Sequence, residues 1–280
     1  MTKHILNIIY IIFFPALYSC DKEIDTNISG GNDEYVVNAT LCSDSIVSMV
    51  VYNTSNILDN SQPLFVNSVS ALLYEGRSII DTFIYNGSGR YLCKIKPVSN
   101  KPYSLKIKIN GHSITSTDTI PKKVRIQSVD TFLVGNKLFC SVNITDPINT
   151  DNYYLFTMNS AQKYSPEKFI KQEFTCNDPM ITNADVVDSL DGGNIIFFRD
   201  TQFKGKSHAL FISLPYQKEK VLNFQLWSIS HAFYNYCHSI VINRQFKSSL
   251  FNEKVKVQSN IIGGKGIFAA YSVDTLQVIL

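Results

Sequence analysis

From Tyr35 onward apolar and polar residues alternate with a period of two through most of the chain, the pattern of strands with one buried face. Tyr35–Leu41 and Ile46–Tyr52 read as strands joined by a turn at Ser43-Asp44-Ser45. Val69–Tyr74 and Ile79–Ile84 flank Glu75-Gly76-Arg77 as a hairpin, and Asn86-Gly87-Ser88-Gly89 turns the chain into Tyr91–Ile95. Ser104–Ile109 and His112–Thr117 lie on either side of Asn110-Gly111, a pair that tolerates the positive φ angles of a type I′ turn. Leu105, Ile107 and Ile109 then share a buried face while Lys106 and Lys108 point to water. About seven short strands with tight turns predict an immunoglobulin-like or transthyretin-like sandwich over residues 35–120. Pro121, which lacks an N–H for a ladder, marks the exit.

Residues 121–280 continue as a second β-rich domain. Val124–Leu133, Leu138–Thr145, Tyr153–Met158, Ile195–Phe198, Ala209–Leu214 and Val221–Ile229 carry strand patterns. The polar stretch Ser160–Asp191 reads as a long excursion with a short helix from Pro166 to Phe174, capped by Ser165. A longer helix is predicted over 231–246. Ser230 is its cap, Phe233, Tyr236, Cys237, Ile240 and Val241 form its apolar stripe, and Arg244 and Lys247 suit its C-terminal end. Val255–Val257, Gly266–Tyr271 and Leu276–Leu280 are expected as closing strands.

The N-terminus breaks this pattern. Ile5–Ala16 is almost wholly apolar, follows Lys3 and His4, and is too short for a stable membrane span. With Leu17-Tyr18-Ser19-Cys20 behind it, residues 1–19 read as a lipoprotein signal peptide, cut after Ser19 with Cys20 lipidated. An ordinary secretory peptide is the bland alternative. Acyl chains on Cys20 would hold the protein to a membrane, each buried methylene contributing about 0.8 kcal/mol. Residues 20–34, beginning Asp21-Lys22-Glu23-Ile24-Asp25, form a polar tether. Acidic residues behind the lipidated cysteine resemble a surface-export signal of Bacteroidetes lipoproteins; without such a signal the protein would face the periplasm.

Composition narrows the partners. The apolar fraction of 45% and charged fraction of 18% are those of a globular chain. The net charge of +3 falls to +2 once Lys3 is removed, and no basic block stands out, so nucleic acid is not an expected partner. Cys42, Cys93, Cys140, Cys176 and Cys237 are widely spaced and include no CxxC, which disfavours zinc; they read as buried small hydrophobes, and spacing alone assigns no disulfide.

Candidate chemistry is sparse. Ile262-Gly263-Gly264-Lys265-Gly266 has too few residues for a phosphate loop and no hydroxyl after the lysine, so it reads as a glycine turn. His231 and His238 lie on one side of the predicted helix with Tyr234 between them, but a third metal ligand is missing. No GxSxG elbow occurs, and Asp146, Asp151 and Asp200 are single acids rather than an evident catalytic pair. No cofactor and no catalytic residue is expected.

Several segments, taken in order, resemble one family of Bacteroidetes lipoproteins, the domain of unknown function numbered four-two-four-nine. They are the residues from Cys20 to Asp25, Gly89-Arg90-Tyr91, Tyr103-Ser104-Leu105, Ile120-Pro121, Asp146-Pro147 and Asn152-Tyr153-Tyr154. Asp200 with Phe203-Lys204-Gly205, Ser228-Ile229-Ser230, Tyr234-Asn235-Tyr236, Ser259-Asn260-Ile261 and Gly263-Gly264-Lys265-Gly266-Ile267-Phe268 complete the set. Lys265 departs from the apolar residue commoner there. The resemblance implies an outer-membrane lipoprotein associated with TonB-dependent transporters and carries over no catalytic residue. The expected function is a non-enzymatic binding or accessory module; a surface hydrolase acting on polymers is the alternative. Asp44-Ser45-Ile46, Asp118-Thr119-Ile120, Asp188-Ser189-Leu190 and Asp274-Thr275-Leu276 also fit an acid-hydroxyl-apolar pattern for O-glycosylation in that phylum.

Overall fold

A computed structural model of the chain describes residues 34–54, 64–148, 150–181, 186–188, 194–245 and 255–280. The alternating segments form β1 (Tyr35–Cys42), β2 (Ser48–Asn53), β3 (Leu64–Phe65), β4 (Ser70–Glu75), β5 (Ser78–Thr82), β6 (Ile84–Tyr85), β7 (Arg90–Leu92), β8 (Pro102–Ile109) and β9 (His112–Thr119). After the Pro121 link come β10 (Ile126–Val134), β11 (Lys137–Thr145), β12 (Tyr153–Gln162), β13 (Ser165–Lys171), β14 (Thr175–Cys176), β15 (Val186–Asp188) and β16 (Asn194–Arg199). The chain continues with β17 (Ser207–Pro215), β18 (Lys220–Ile229), the helix α1 (His231–Gln245) and β19 (Lys265–Ile279). The fold is mainly β, with one long helix among the described residues. None of their helices is long and apolar enough to cross a membrane.

Three sheets divide the work. An eleven-stranded sheet runs β15-β16-β12-β18-β19-β1-β2-β7-β6, with β13 on β12 and β3 on β2; β5-β4-β8-β9 and β10-β11-β17-β14 form two four-stranded sheets. Val37, Ala39, Leu41, Met49 and Val51 of the large sheet meet Leu73, Leu105, Ile107 and Ile114 of the first small sheet. Tyr154, Phe156, Met158, Leu222, Phe224 and Leu226 meet Cys140, Val142, Leu210 and Ile212 of the second. These sandwich cores arise because alternate residues project to one face. They part between Ile120 and Val124, yet residues 33–280 form one compact unit because a single sheet runs through both.

β19 makes that continuity. It pairs in parallel with β1 from Lys265 to Tyr271 and antiparallel with β18 from Tyr271 to Ile279. Its even-numbered face serves both cores: Phe268 and Ala270 lie in the first, and Leu276 and Val278 pack against the second. Between them stand Ser272 and Asp274, at the level where the cores part. The N-terminal sandwich is therefore completed by residues from the far end of the chain.

Several local expectations hold. Asn110 and Gly111 have φ of 45° and 83°, as a type I′ hairpin requires. Ser230 Oγ accepts the Phe233 N–H at 3.1 Å and caps α1. Three expectations are corrected. Ser165–Lys171 is a strand rather than a helix, because β12 extends to Gln162 and offers Ser160 as the partner of Ile170, a tertiary pairing that overrides local preference. Val255–Val257 is irregular. The two expected closing strands are one, since Ser272 and Asp274 bond to the interdomain link without interrupting the ladder.

Candidate functional site

The link between the cores is held by a row of buried and half-buried polar groups. Ser228 Oγ accepts the Val124 N–H at 3.1 Å, Ser272 Oγ donates to the Pro121 carbonyl at 3.1 Å, and Asp274 accepts the Ile126 N–H at 2.9 Å. Asp118 is the most connected. Its Oδ1 accepts the Thr119 N–H at 2.8 Å, while Oδ2 accepts the Ser230 hydroxyl at 2.5 Å and the Ala270 N–H at 3.0 Å. One carboxylate thereby ties together the end of β9, the cap of α1 and β19. Burial pushes its pKa up to about 6, against the lowering pull of those three donors.

Above this row opens a groove of about 660 Å³ at the start of α1, whose walls include Asn100, Thr119, Lys122, Asp151, Tyr153 and His231. Asp151 on its rim pairs with Lys204, which draws the Asp151 carboxyl below its ordinary range. The loop behind the groove is fixed from inside. Asp146, buried, accepts the Tyr154 hydroxyl and the Gly205 N–H, the latter at 2.8 Å. Asp200, also buried, accepts the Asn152 N–H at 2.9 Å. Burial raises the Asp146 pKa, and the neighbouring Asp200 charge adds to the rise. These acids are loop staples in their contacts.

From the groove a ladder of rings follows α1. His231 stacks on Tyr153 with centroids 4.9 Å apart, Tyr153 lies 5.0 Å from Tyr234, and Tyr234 stacks on His238 at 5.7 Å. His231 Nε2 lies 3.0 Å from Asn235 Nδ2, which sets the ring in the ladder. Asn235 and His238 then help line a second hollow of about 330 Å³ with Ser239, Ile242, Val255 and Gln258. The two histidines thus share one side of the helix, as their spacing implies, but a tyrosine from each of two elements fills the space between them. No group of three or more metal-ligating side chains occurs among the described residues.

The sequence places the helix stripe slightly off its true face. Tyr234 and Val241 are its buried apolar residues, packing on Leu155, Phe197 and Ile229, with Phe233 and Cys237 at the margins. The groove's floor is missed altogether in the sequence, where Asp118 sits among the alternating polar residues of β9. Its outward sign is a set of small polar residues, Ser228 and Ser272 at strand positions where apolar ones would continue the core and Ser230 at the helix cap.

The remaining sequence candidates are structural or lie elsewhere. Cys42, Cys93 and Cys140 are buried as expected, and burial pushes Cys93 and Cys140 up to about 12, whereas Cys176 and Cys237 are only half-buried. In the glycine segment, Gly263 and Gly266 have φ of 81° and 104°, whereas Gly264 has no positive φ. A Cβ on Gly266 would stand 2.2 Å from the Val37 carbonyl oxygen, so close approach of β1 demands glycine there. Lys265 pairs with Glu34 on the surface at 2.6 Å. Elsewhere, His208 Nε2 and Asp178 Oδ2 approach to 2.8 Å in the interior without the alignment of a hydrogen bond, pinning the segment after β14 to β17. Cys20 and the tether as far as residue 33 lie outside the described residues.

No curated protein matches the sequence. Among solved structures, a Bacteroides uniformis ATCC 8492 protein described as a "putative carbohydrate binding protein" aligns over 89% of this chain and 100% of its own, at 11% identity and a TM-score of 0.25. A DUF3823 family protein of the same organism aligns over 89% of this chain and 99% of its own, at 8% identity and a TM-score of 0.26. Likenesses this slight carry no argument about ligand or partner. The family model described as "Domain of unknown function (DUF4249)" matches residues 21–277. The chain belongs to the DUF4249 family.

Proposed function

We propose that this protein is an outer-membrane lipoprotein, anchored through Cys20, that binds a ligand for a TonB-dependent transporter rather than transforming it. The observation that carries the binding reading is the groove at the junction of the two cores. It is open, its walls come from both halves of the chain, and its floor is fixed by the Asp118 network. A pre-formed polar hollow with few convergent groups is the general form of a recognition site. The lipid anchor rests on the apolar run that ends at Leu17-Tyr18-Ser19-Cys20.

One observation favours the hydrolase alternative. Asp118 and Asp151 line one groove with pKa values pushed in opposite directions, the arrangement that separates an acid from a base. Against it, Asp118 already accepts bonds from three internal donors and Asp151 is engaged by Lys204, so neither carboxylate is held ready for a substrate bond.

Fractionation, surface proteolysis and affinity capture from solubilised outer membrane test the reading together. Cys20→Ala should move the protein out of the membrane pellet, and the native protein should bring down a TonB-dependent transporter. A mutant that stays in the pellet would refute the anchor, and absence of any transporter would refute the partnership. Polymer cleavage that disappears in Asp118→Asn would replace binding with hydrolysis.

A further inference from the structure

We propose that the ring ladder and the hollows at its two ends form one track that binds an extended, neutral glycan chain. This rests on the binding reading above and adds the chemical class of the ligand and its path. The three parts are contiguous. His231 and Tyr153 belong both to the groove and to the ladder, His238 belongs both to the ladder and to the second hollow, and Asn235, which meets His231, lines that hollow too; the path runs over these residues, with buried Tyr234 behind them. From His231 to Ile242 the helix rises about 16 Å at 1.5 Å per residue, a path suited to several linked rings rather than to one.

The lining sets the class. Exposed His231 is backed on one face by Tyr153, which leaves its other face to solvent as a rigid platform. A saturated sugar ring presents just such a flat C–H face, with hydroxyls around its rim. Those hydroxyls both donate and accept, and the walls offer both functions in Asn100, Thr119 and Gln258. Charge argues for neutrality. Among the described residues the second hollow has no carboxylate or ammonium in its lining, and the exposed Asp151 in the first is already paired with Lys204. An anionic polymer would meet the Asp118 and Asp151 carboxylates with Lys122 as the groove's own cation. An extended peptide would instead seek an open strand edge and apolar side-chain pockets, and this track is built on a helix face with polar walls.

The test uses the mature lipidated protein in detergent, titrated calorimetrically with neutral hexaoses of glucose, mannose, xylose and galactose. A galacturonate hexaose and an alanine-serine hexapeptide are the controls. Saturable binding of at least one neutral hexaose is expected, with the corresponding monosaccharide weaker by about ten-fold or more. His231→Ala and His238→Ala should each weaken the hexaose by a similar factor, and His231→Phe should restore most of the loss because it keeps the platform. Thermal melts identify a variant that has failed to fold, and Asn235→Ala, which loosens the His231 ring without removing it, then serves in its place. If no neutral hexaose binds while a transporter still co-purifies, the glycan track is wrong and the accessory reading stands. Preference for the peptide or the anionic hexaose overturns it, as does hexaose binding that survives loss of both histidines.

Discussion

Removing the Asp118 carboxylate tests whether the junction is governed by desolvation or by hydrogen bonding. In Asp118→Ala the buried Ala270 N–H and the Ser230 hydroxyl lose their acceptor. A buried donor left unsatisfied costs about 1–3 kcal/mol, so two of them, less the relief of no longer burying a charge, give a loss of about 2–4 kcal/mol at pH 7.5. The pH dependence is the sharper part. The folded pKa of about 6 lies above the ordinary carboxylate value of 3.8, so between those values the native state holds the proton more firmly. The contribution of this group to stability is then greatest below the unfolded pKa, falls as pH rises towards 6, and is flat above it. Going from pH 7.5 to pH 5 should raise the wild type over Asp118→Ala by about 1.4 kcal/mol, the worth of one pH unit below the folded pKa. Urea unfolding of both proteins at the two pH values measures this directly. A gap that narrows at pH 5 would mean that the three donors outweigh burial, and the reasoning would fail.

Other outcomes follow from the same contacts. Gly266→Val should cost more than about 3 kcal/mol in thermal or urea unfolding, since positive φ and the Val37 carbonyl both oppose a side chain, whereas Lys265→Ala should change stability by less than about 1 kcal/mol. Equal effects of the two would remove the close-approach argument. Tyr154→Phe strips Asp146 of a buried donor and should lower stability by about 1–3 kcal/mol; an unchanged melt would show that Asp146 finds water instead. For O-glycosylation, Ser45 on the exposed β1–β2 turn is a better acceptor than Thr119, whose preceding Asp118 is buried and occupied. Intact mass of the native protein equal to the lipidated polypeptide alone would refute modification at either.

The mainly β fold was legible because strand period and turn chemistry are local. Asn110-Gly111 announces its hairpin, and Leu105, Ile107 and Ile109 announce their face. The helix after Ser230 was equally plain. What was hidden is long-range. Nothing near Ser165 says that β12 will lend it an edge, so a proline after a capping residue read as a helix start. The candidate site was hidden for the same reason. His231, Tyr234 and His238 could be set on one side by helical spacing, but Tyr153 enters their ladder from a strand far back in the sequence, and Asp118 reaches Ser230 and Ala270 across 112 and 152 residues.

The parallel pairing of β1 with β19 has a consequence for the order in which the protein assembles. β1 waits for a partner that is synthesised roughly 230 residues later, since Val36 pairs with Lys265, and closing so long a span before its contacts form is slow. Until then β1 shows an open edge and the N-terminal core lacks Phe268 and Ala270. The half that is synthesised first is therefore finished late, and its open edge needs shielding until β19 arrives. A lesion in β19 would be felt as misfolding of the N-terminal sandwich.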